Sequence, residues 1–159
     1  MRRITIGVMG VLAVAAIGGC GSDEPPGTPP ACVSPPSAYL TALKAAPERV
    51  LLGGTTRISD CLVEEQEPGQ IAAVGESIIA AATELNRRIR RDPQPPVIVR
   101  LGYLVGAVQE AEASTGGIHR DLKLRLDSAA RYNGPNAAPF PAAFERSYGE
   151  GYAAGQAAG

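Results

Sequence analysis

The stretch QIAAVGESIIAAATELNRRIRR, residues 70–91, decides the fold class of this chain. Apolar and small residues recur along it at alternating intervals of four and three, as on the buried face of an amphipathic helix. These residues are Ile71, Gly75, Ile78, Ala82, Leu85 and Ile89. Four arginines crowd its end, where the helix dipole favours cations, and Asp92-Pro93 predicts the helix end. The stretch therefore predicts a long helix with one buried face.

The stretch VIVRLGYLVGAV, residues 97–108, predicts the central helix of the fold, because its apolar face is wide. We expect this helix to run from about Pro96 to Ser114. Gly102 and Gly106 lie one turn apart on it, and each costs about 1 kcal/mol of helix propensity relative to alanine. Such a cost indicates a packing reason, so we expect a neighbouring helix to approach closely at these glycines.

Weaker patterns predict further helices from an N-cap at Ser37 to Ala46, from Ile118 to Tyr132, and from Pro141 onward. The alternation of Leu122–Leu126 leaves a strand open as the alternative for the second of these. Glycines weaken the last helix, which we expect to fray at its end: Gly149, Gly151 and Gly155. The predicted fold class is all-α, a small up-and-down bundle of four to five helices over residues 37–159.

The first 20 residues have the layout of an export signal. Arg2 and Arg3 precede an apolar run from Ile4 to Ile17, and Ile17-Gly18-Gly19-Cys20 follows. This layout resembles the lipobox of bacterial lipoprotein precursors. The resemblance implies a signal peptide over residues 1–19, cleavage before Cys20, and lipid attachment to the thiol of Cys20.

Alternatives to this interpretation remain open. An ordinary cleaved signal peptide would leave Cys20 incidental, and the paired arginines leave the twin-arginine route beside the general secretory route. A transmembrane helix is a poorer interpretation, because a bilayer span needs about 20 apolar residues and glycines interrupt this run. On the lipoprotein interpretation, the chain lies outside the cytoplasm, held to the cell membrane by lipid.

Residues 20–36 are rich in proline and predict a disordered, extended linker between the lipidated Cys20 and the helical domain. With Cys20 assigned to lipid, Cys32 and Cys61 form an even pair, which outside the cytoplasm predicts a disulfide. The chain-entropy model gives about 3.5 kcal/mol for closing a loop of this size. Two free thiols or a metal site are the alternatives. No Cys-x-x-Cys is present and His119 is the single histidine, so we expect no metal and no cofactor.

Charge and composition narrow the classes of partner. The formal net charge is −1, and removal of residues 1–19 would leave 13 basic against 16 acidic residues, a net charge of −3. This balance argues against nucleic acid, which a basic face would bind. The absence of tryptophan, with only seven other aromatic residues, argues against a stacking platform for sugars or bases.

No motif identifies a reaction, so we expect a protein without catalytic activity that binds or scaffolds another component of the cell envelope. One alternative is a small envelope enzyme, or an accessory subunit of one, that uses His119 beside a carboxylate. Another is a carrier of an apolar ligand, with a cavity lined by residues from Val97 to Val108. The segment from Leu101 to Arg131 is similar to uncharacterised actinobacterial secreted helical proteins, a resemblance that implies no activity.

Overall fold

The computed structural model describes residues 27–131 and 142–159, and within them the chain forms five α-helices and no strand. The helices are α1 (Pro36–Ala42), α2 (Pro68–Arg91), α3 (Pro95–Ser114), α4 (Arg120–Ala130) and α5 (Ala142–Ala158). Three short 3₁₀ turns accompany them, at Pro30–Val33, Leu43–Ala45 and Ser59–Cys61. The all-α prediction is therefore confirmed. The predicted signal peptide, Cys20 and Pro141 lie outside the described residues.

Helices α2 to α5 alternate in direction. A three-residue connection, 92–94, turns the chain from α2 back into α3. Helix α4 runs parallel to α2, because Gly75 faces Leu122 near one end of the pair while the amide of Asn86 donates to the carbonyls of Ala129 and Arg131 near the other. Helix α5 runs parallel to α3, as their contacts show below.

The tightest contact in the fold joins α3 to α5 through glycine on both helices. Gly102 and Gly106 of α3 lie against the backbone of α5 at Tyr148 and Tyr152, as the predicted close approach requires. Glycines of α5 lie in turn against the backbone of α3: Gly151 against Val99 and Gly155 against Tyr103. A Cβ atom at any of these four glycines would overlap a backbone carbonyl oxygen of the other helix. The contacts advance in the same direction along both chains, so the two helices are parallel.

The expected fraying of α5 is wrong. The helix continues to Ala158, and both Gly151 and Gly155 are buried. Glycine in an exposed helix costs stability, but here two of the glycines remove the side chains that would hold α3 away. Of the three glycines predicted to weaken α5, only Gly149 has open space around its Cα, so only this one is expected to reduce the stability of the helix.

The core lies between the α2–α3 hairpin, α1 and α4. The largest fully buried side chains include Tyr39, Leu43, Ile78, Leu85, Leu101, Tyr103, Leu104 and Leu126. The hydroxyl of Tyr103 accepts a hydrogen bond of 3.1 Å from the backbone N–H of Val50, which ties the loop after α1 to the central helix. The apolar faces predicted for α2 and α3 therefore form one continuous core.

The described structure includes part of the segment that was predicted as the linker. Pro30–Val33 already form a 3₁₀ turn, and Cys32 is fully buried. Helix α1 starts at Pro36, with Pro35 rather than Ser37 at the cap position. Because the disulfide partner Cys61 lies in the core, it draws this part of the proline-rich segment into the fold.

The strand alternative for Leu122–Leu126 is wrong, since these residues lie in α4. The helix begins two residues later than predicted, at Arg120, because Gly116 and Gly117 have φ angles of +63° and +85° and form a turn. This turn places His119 at the cap position of α4, where it enters the core.

Candidate functional site

A cleft of about 660 Å³ lies where the N-terminal segment, the loop before α2 and the end of α3 meet. We call it the acidic cleft. One side is formed by Gly27 and Pro29, and another by the end of α3 with Glu110, Ser114 and Thr115. The loop before α2 supplies the rest of the lining: Thr55, Thr56, Arg57, Ser59, Asp60, Leu62, Val63, Glu64 and Glu65.

The lining combines apolar surface with carboxylates. Leu62 and Val63 contribute apolar surface, while Glu64, Glu65 and Glu110 are exposed at the edge. Among the described residues, no group of three or more histidine, cysteine or acidic side chains has the arrangement of a metal site. The cleft therefore offers apolar contact together with negative charge, without the close-set ligands that a metal ion needs.

A single arginine lies among these carboxylates. The guanidinium of Arg57 contacts Asp60 at 2.6 Å, and the backbone N–H of Arg57 donates to the same carboxylate at 3.2 Å. These hydrogen bonds lower the pKa of Asp60. The carboxylate of Asp60 also raises the pKa of Arg57, with a smaller contribution from Glu110. Arg57 is thus paired with Asp60. Within the described residues, neither Glu64 nor Glu65 forms an ion pair, so no paired cation neutralises their negative charges.

His119 holds one side of the cleft in place. The residue is 3% exposed, and Nε2 of its ring lies 2.9 Å from the backbone carbonyl oxygen of Val63. Because a carbonyl oxygen can only accept, this contact places a proton on Nε2. The envelope-enzyme alternative expects His119 beside a carboxylate, whereas the side-chain hydrogen bond of His119 is with the backbone carbonyl of Val63.

Two further buried side chains make hydrogen bonds between segments at this end of the molecule. The amide of Gln66 donates to the hydroxyl of Thr28 at 2.7 Å and to the carbonyl of Cys61 at 3.0 Å. The hydroxyl of Tyr39 donates to the carbonyl of Cys32 at 2.7 Å, and burial raises its pKa, so it stays protonated. The bond from Gln66 to Thr28 joins positions 38 apart in sequence, whereas the bonds from Gln66 to Cys61 and from Tyr39 to Cys32 span five and seven positions.

The predicted disulfide links the same two segments. The sulfur atoms of Cys32 and Cys61 lie 2.06 Å apart, and both residues are fully buried. Cys61 is the last residue of the 3₁₀ turn that precedes α2. The disulfide, Gln66 and Tyr39 therefore act together on one end of the molecule.

The residues proposed to line a carrier cavity lie elsewhere. Leu101, Leu104 and Val108 are fully buried in the core, and no residue from Val97 to Val108 lines the acidic cleft. The sequence pattern did not point to the cleft, because its lining comes from loops and helix ends. Gln66 and Tyr39 gave no signal either, since isolated polar residues acquire their roles only through distant partners.

Comparison with known proteins identifies no relative: no family model, curated protein or solved structure matches the chain. Within residues 27–131 and 142–159, every helix is too short or too polar to cross a bilayer.

Proposed function

We propose that this chain is a lipid-anchored binding protein of the cell envelope, which holds a basic segment of a partner polypeptide in the acidic cleft. The observation that carries the proposal is the cleft itself, a concave surface of about 660 Å³ with an apolar lining and glutamates at its edge. Binding sites typically combine apolar surface with a few fixed polar groups. A segment with alternating basic and apolar residues would match both properties.

Charge supports a basic partner rather than an acidic one. Glu64, Glu65 and Glu110 are exposed around the cleft, while Arg57 is already paired with Asp60. Complementary charge accelerates encounter and excludes partners of the wrong sign. The buried contacts of His119 and Gln66 support the same proposal, because a preformed cleft spends less binding energy on ordering its own residues.

The lipid anchor remains a proposal that rests on the lipobox-like sequence before Cys20. Six residues lie between Cys20 and Gly27 in the cleft wall, and a fully extended chain over these seven residue steps spans at most about 25 Å. An anchored domain would therefore hold the cleft near the membrane surface. A partner that is itself membrane-bound would be within reach.

The proposal assigns no catalytic step to His119, which we interpret as a positioning residue for Val63. This assignment retains the expectation of a protein without enzymatic activity. The proposed binding site differs from that of the carrier hypothesis. The partner segment binds in the acidic cleft between loops at one end of the molecule, whereas a carried ligand would lie between the helices.

Metabolic labelling with palmitate and membrane fractionation test the anchor. We expect the wild-type chain to be labelled and membrane-bound, and Cys20→Ser to lose both properties. A Cys20→Ser chain that is processed and retained on the membrane like the wild type would overturn the anchor.

Binding of a defined peptide tests the cleft. The probe is a fluorescent peptide of alternating arginine and leucine, added to the purified full chain in neutral detergent, with a glutamate–leucine peptide for comparison. We expect Glu64→Gln/Glu65→Gln to weaken binding of the basic peptide at least about fivefold, since two charge-assisted contacts are lost. The matched control is Glu145→Gln/Glu150→Gln, which removes two exposed charges from α5. Equal affinity of both variants would reject the cleft as the binding site.

A further inference from the structure

The four arginines near the end of α2 form a second charged surface, which we call the arginine patch: Arg87, Arg88, Arg90 and Arg91. All four are exposed, whereas Ile89 between them is fully buried. Successive helical residues are rotated by about 100°, so the four side chains spread over about 160° of the helix surface, opposite Ile89. The patch is therefore the whole solvent-facing side of the last turns of α2.

The arginine patch and the acidic cleft lie at opposite ends of the molecule. Helix α2 begins at Pro68, three residues after the cleft residue Glu65, and its 24 residues span about 36 Å. Helix α3 runs back from the patch end to the cleft, where Glu110 and Ser114 form a wall. The hydrogen bond from Asn86 to the backbone carbonyl of Arg131 places the end of α4 near the same end of the molecule.

Neighbouring carboxylates neutralise only part of this charge. Glu84 pairs with both Arg87 and Arg88, at 2.5 Å and 2.7 Å. The same two guanidiniums lower the pKa of Glu84, so its charge is already committed near neutral pH. No ion pair involves Arg90 or Arg91 within the described part of the chain.

The helix dipole does not account for this accumulation. The C-terminus of a helix carries the equivalent of about half a negative charge, and each cation there gains about 0.3–1 kcal/mol when exposed. Four arginines supply far more positive charge than this dipole requires. The excess is available to a ligand.

We propose that the arginine patch binds an anionic polymer, other than a nucleic acid, that carries phosphate groups along its chain and lies on the side of the domain away from the lipid anchor. Guanidinium groups donate two parallel hydrogen bonds to phosphate oxygens, and a row of them fits a repeated anion. Since the linker enters at the cleft end, an anchored domain directs the patch away from its own membrane. This orientation rests on the proposed anchor, whereas polymer binding by the patch does not.

Linear polyphosphate is the probe that tests the patch. The purified full chain in neutral detergent is titrated with it, and the test variant is Arg90→Gln/Arg91→Gln, which leaves both pairs of Glu84 intact. The matched control is Arg120→Gln/Arg125→Gln, which removes the same charge from exposed positions on α4. We expect the test variant to bind at least about tenfold more weakly at low salt, and the control to change less than about twofold.

Three outcomes would overturn the inference: no binding of polyphosphate by the wild type at low salt, equal weakening in both variants, or tighter binding of a DNA duplex than of polyphosphate. A fourth outcome would also overturn it. If the chain binds vesicles that contain phosphatidylglycerol through Arg90 and Arg91 but does not bind polyphosphate, the ligand of the patch is a membrane surface. The variants leave the acidic cleft and Cys20 unchanged. Failure here is therefore distinguishable from failure of the peptide-binding or anchor experiments.

Discussion

The interface between α3 and α5 and the cleft end of the molecule are held together by different means. At the interface, glycines such as Gly106 and Gly155 let two helix backbones touch, and the contact is made by van der Waals packing. At the cleft end, short segments are joined by a disulfide and by side-chain hydrogen bonds to backbone from Tyr39, Gln66 and His119. The interface between α3 and α5 has no room for a Cβ atom at these glycines. The cleft end depends instead on particular hydrogen-bond donors and on a disulfide.

The difference follows from the local backbone. Within a regular helix the backbone N–H and C=O groups are already hydrogen-bonded to each other. Two such helices can therefore be joined by close packing alone. The loop from Leu51 to Glu67 has few regular bonds of its own, and its buried carbonyls need partners from elsewhere in the chain. The cleft is located where such irregular segments meet, and its shape depends on these cross-links.

Removal of the disulfide is expected to have the largest effect. Cys32→Ala/Cys61→Ala frees a loop with a sequence separation of 29 residues, and the chain-entropy model predicts a loss of about 3.5 kcal/mol. Urea unfolding of the full chain, with and without reductant, measures this loss. Reductant should destabilise the wild type by a similar amount and leave the double variant unchanged. A loss below about 1 kcal/mol would show that the hydrogen bonds alone hold the cleft end.

An added methyl group in the glycine interface is expected to be nearly as costly. In Gly155→Ala the new Cβ overlaps the carbonyl oxygen of Tyr103, and relief requires movement of α5 away from α3. We expect a loss of about 3 kcal/mol, at the upper end of overpacking costs. Urea unfolding of Gly149→Ala provides the control, since this position has open space and alanine should stabilise the helix by about 0.5–1 kcal/mol. Similar stabilities of the two variants would contradict the close approach.

Removal of the His119 ring tests whether it positions the cleft. His119→Ala leaves the carbonyl of Val63 without its donor, which should cost about 1–3 kcal/mol. Hydrogen exchange should accelerate around Val63 while α3 and α5 stay protected. His119→Gln keeps a side-chain N–H donor and should restore part of the stability. An unchanged exchange rate around Val63 in His119→Ala would refute the positioning role.

The smallest effect expected is the pH dependence from the ion pair between Arg57 and Asp60. Hydrogen bonding by Arg57 lowers the pKa of Asp60 below its ordinary value of 3.8. The stabilisation is therefore present above that value and is lost as pH falls through the lower pKa of the folded state. Because the pair is partly exposed, we expect only a few tenths of a kcal/mol. Urea unfolding at about pH 6 and about pH 3 should show a weaker decrease for Asp60→Asn than for the wild type, and parallel decreases would exclude the contribution.

Much of the fold could be predicted from the residue pattern. The apolar periodicity of residues 70–91 and 97–108 predicted α2 and α3 within two residues at each end, because a regular helix repeats its buried face locally. The pairing of Cys32 with Cys61 was predicted from the number of cysteines and from the expected location outside the cytoplasm. The same local rules wrongly predicted that Gly151 and Gly155 weaken α5. The effect of these glycines on stability depends on α3, a partner helix about 50 residues away in sequence.

The candidate site was less predictable for the same reason. Glu64 and Glu65 are neighbours in the sequence, but their position beside Glu110 and Gly27 follows only from the packing of α3. The net charge of the chain, −1, also gives no indication that the glutamates of the acidic cleft and the arginines of the arginine patch lie at opposite ends of the molecule. A sum over residues carries no information about where the charges lie.

The sequence by itself determined that residues 68–114 form two long amphipathic helices, because each residue's partners on its own helix face lie only three or four positions away. It also determined that arginines crowd the end of the first of these helices. Only the tertiary structure decided that glycines on α5 admit the backbone of α3, that His119 supports Val63, and that the acidic cleft and the arginine patch lie at opposite ends of the molecule. These properties depend on contacts between distant segments, which form only when the core brings them together.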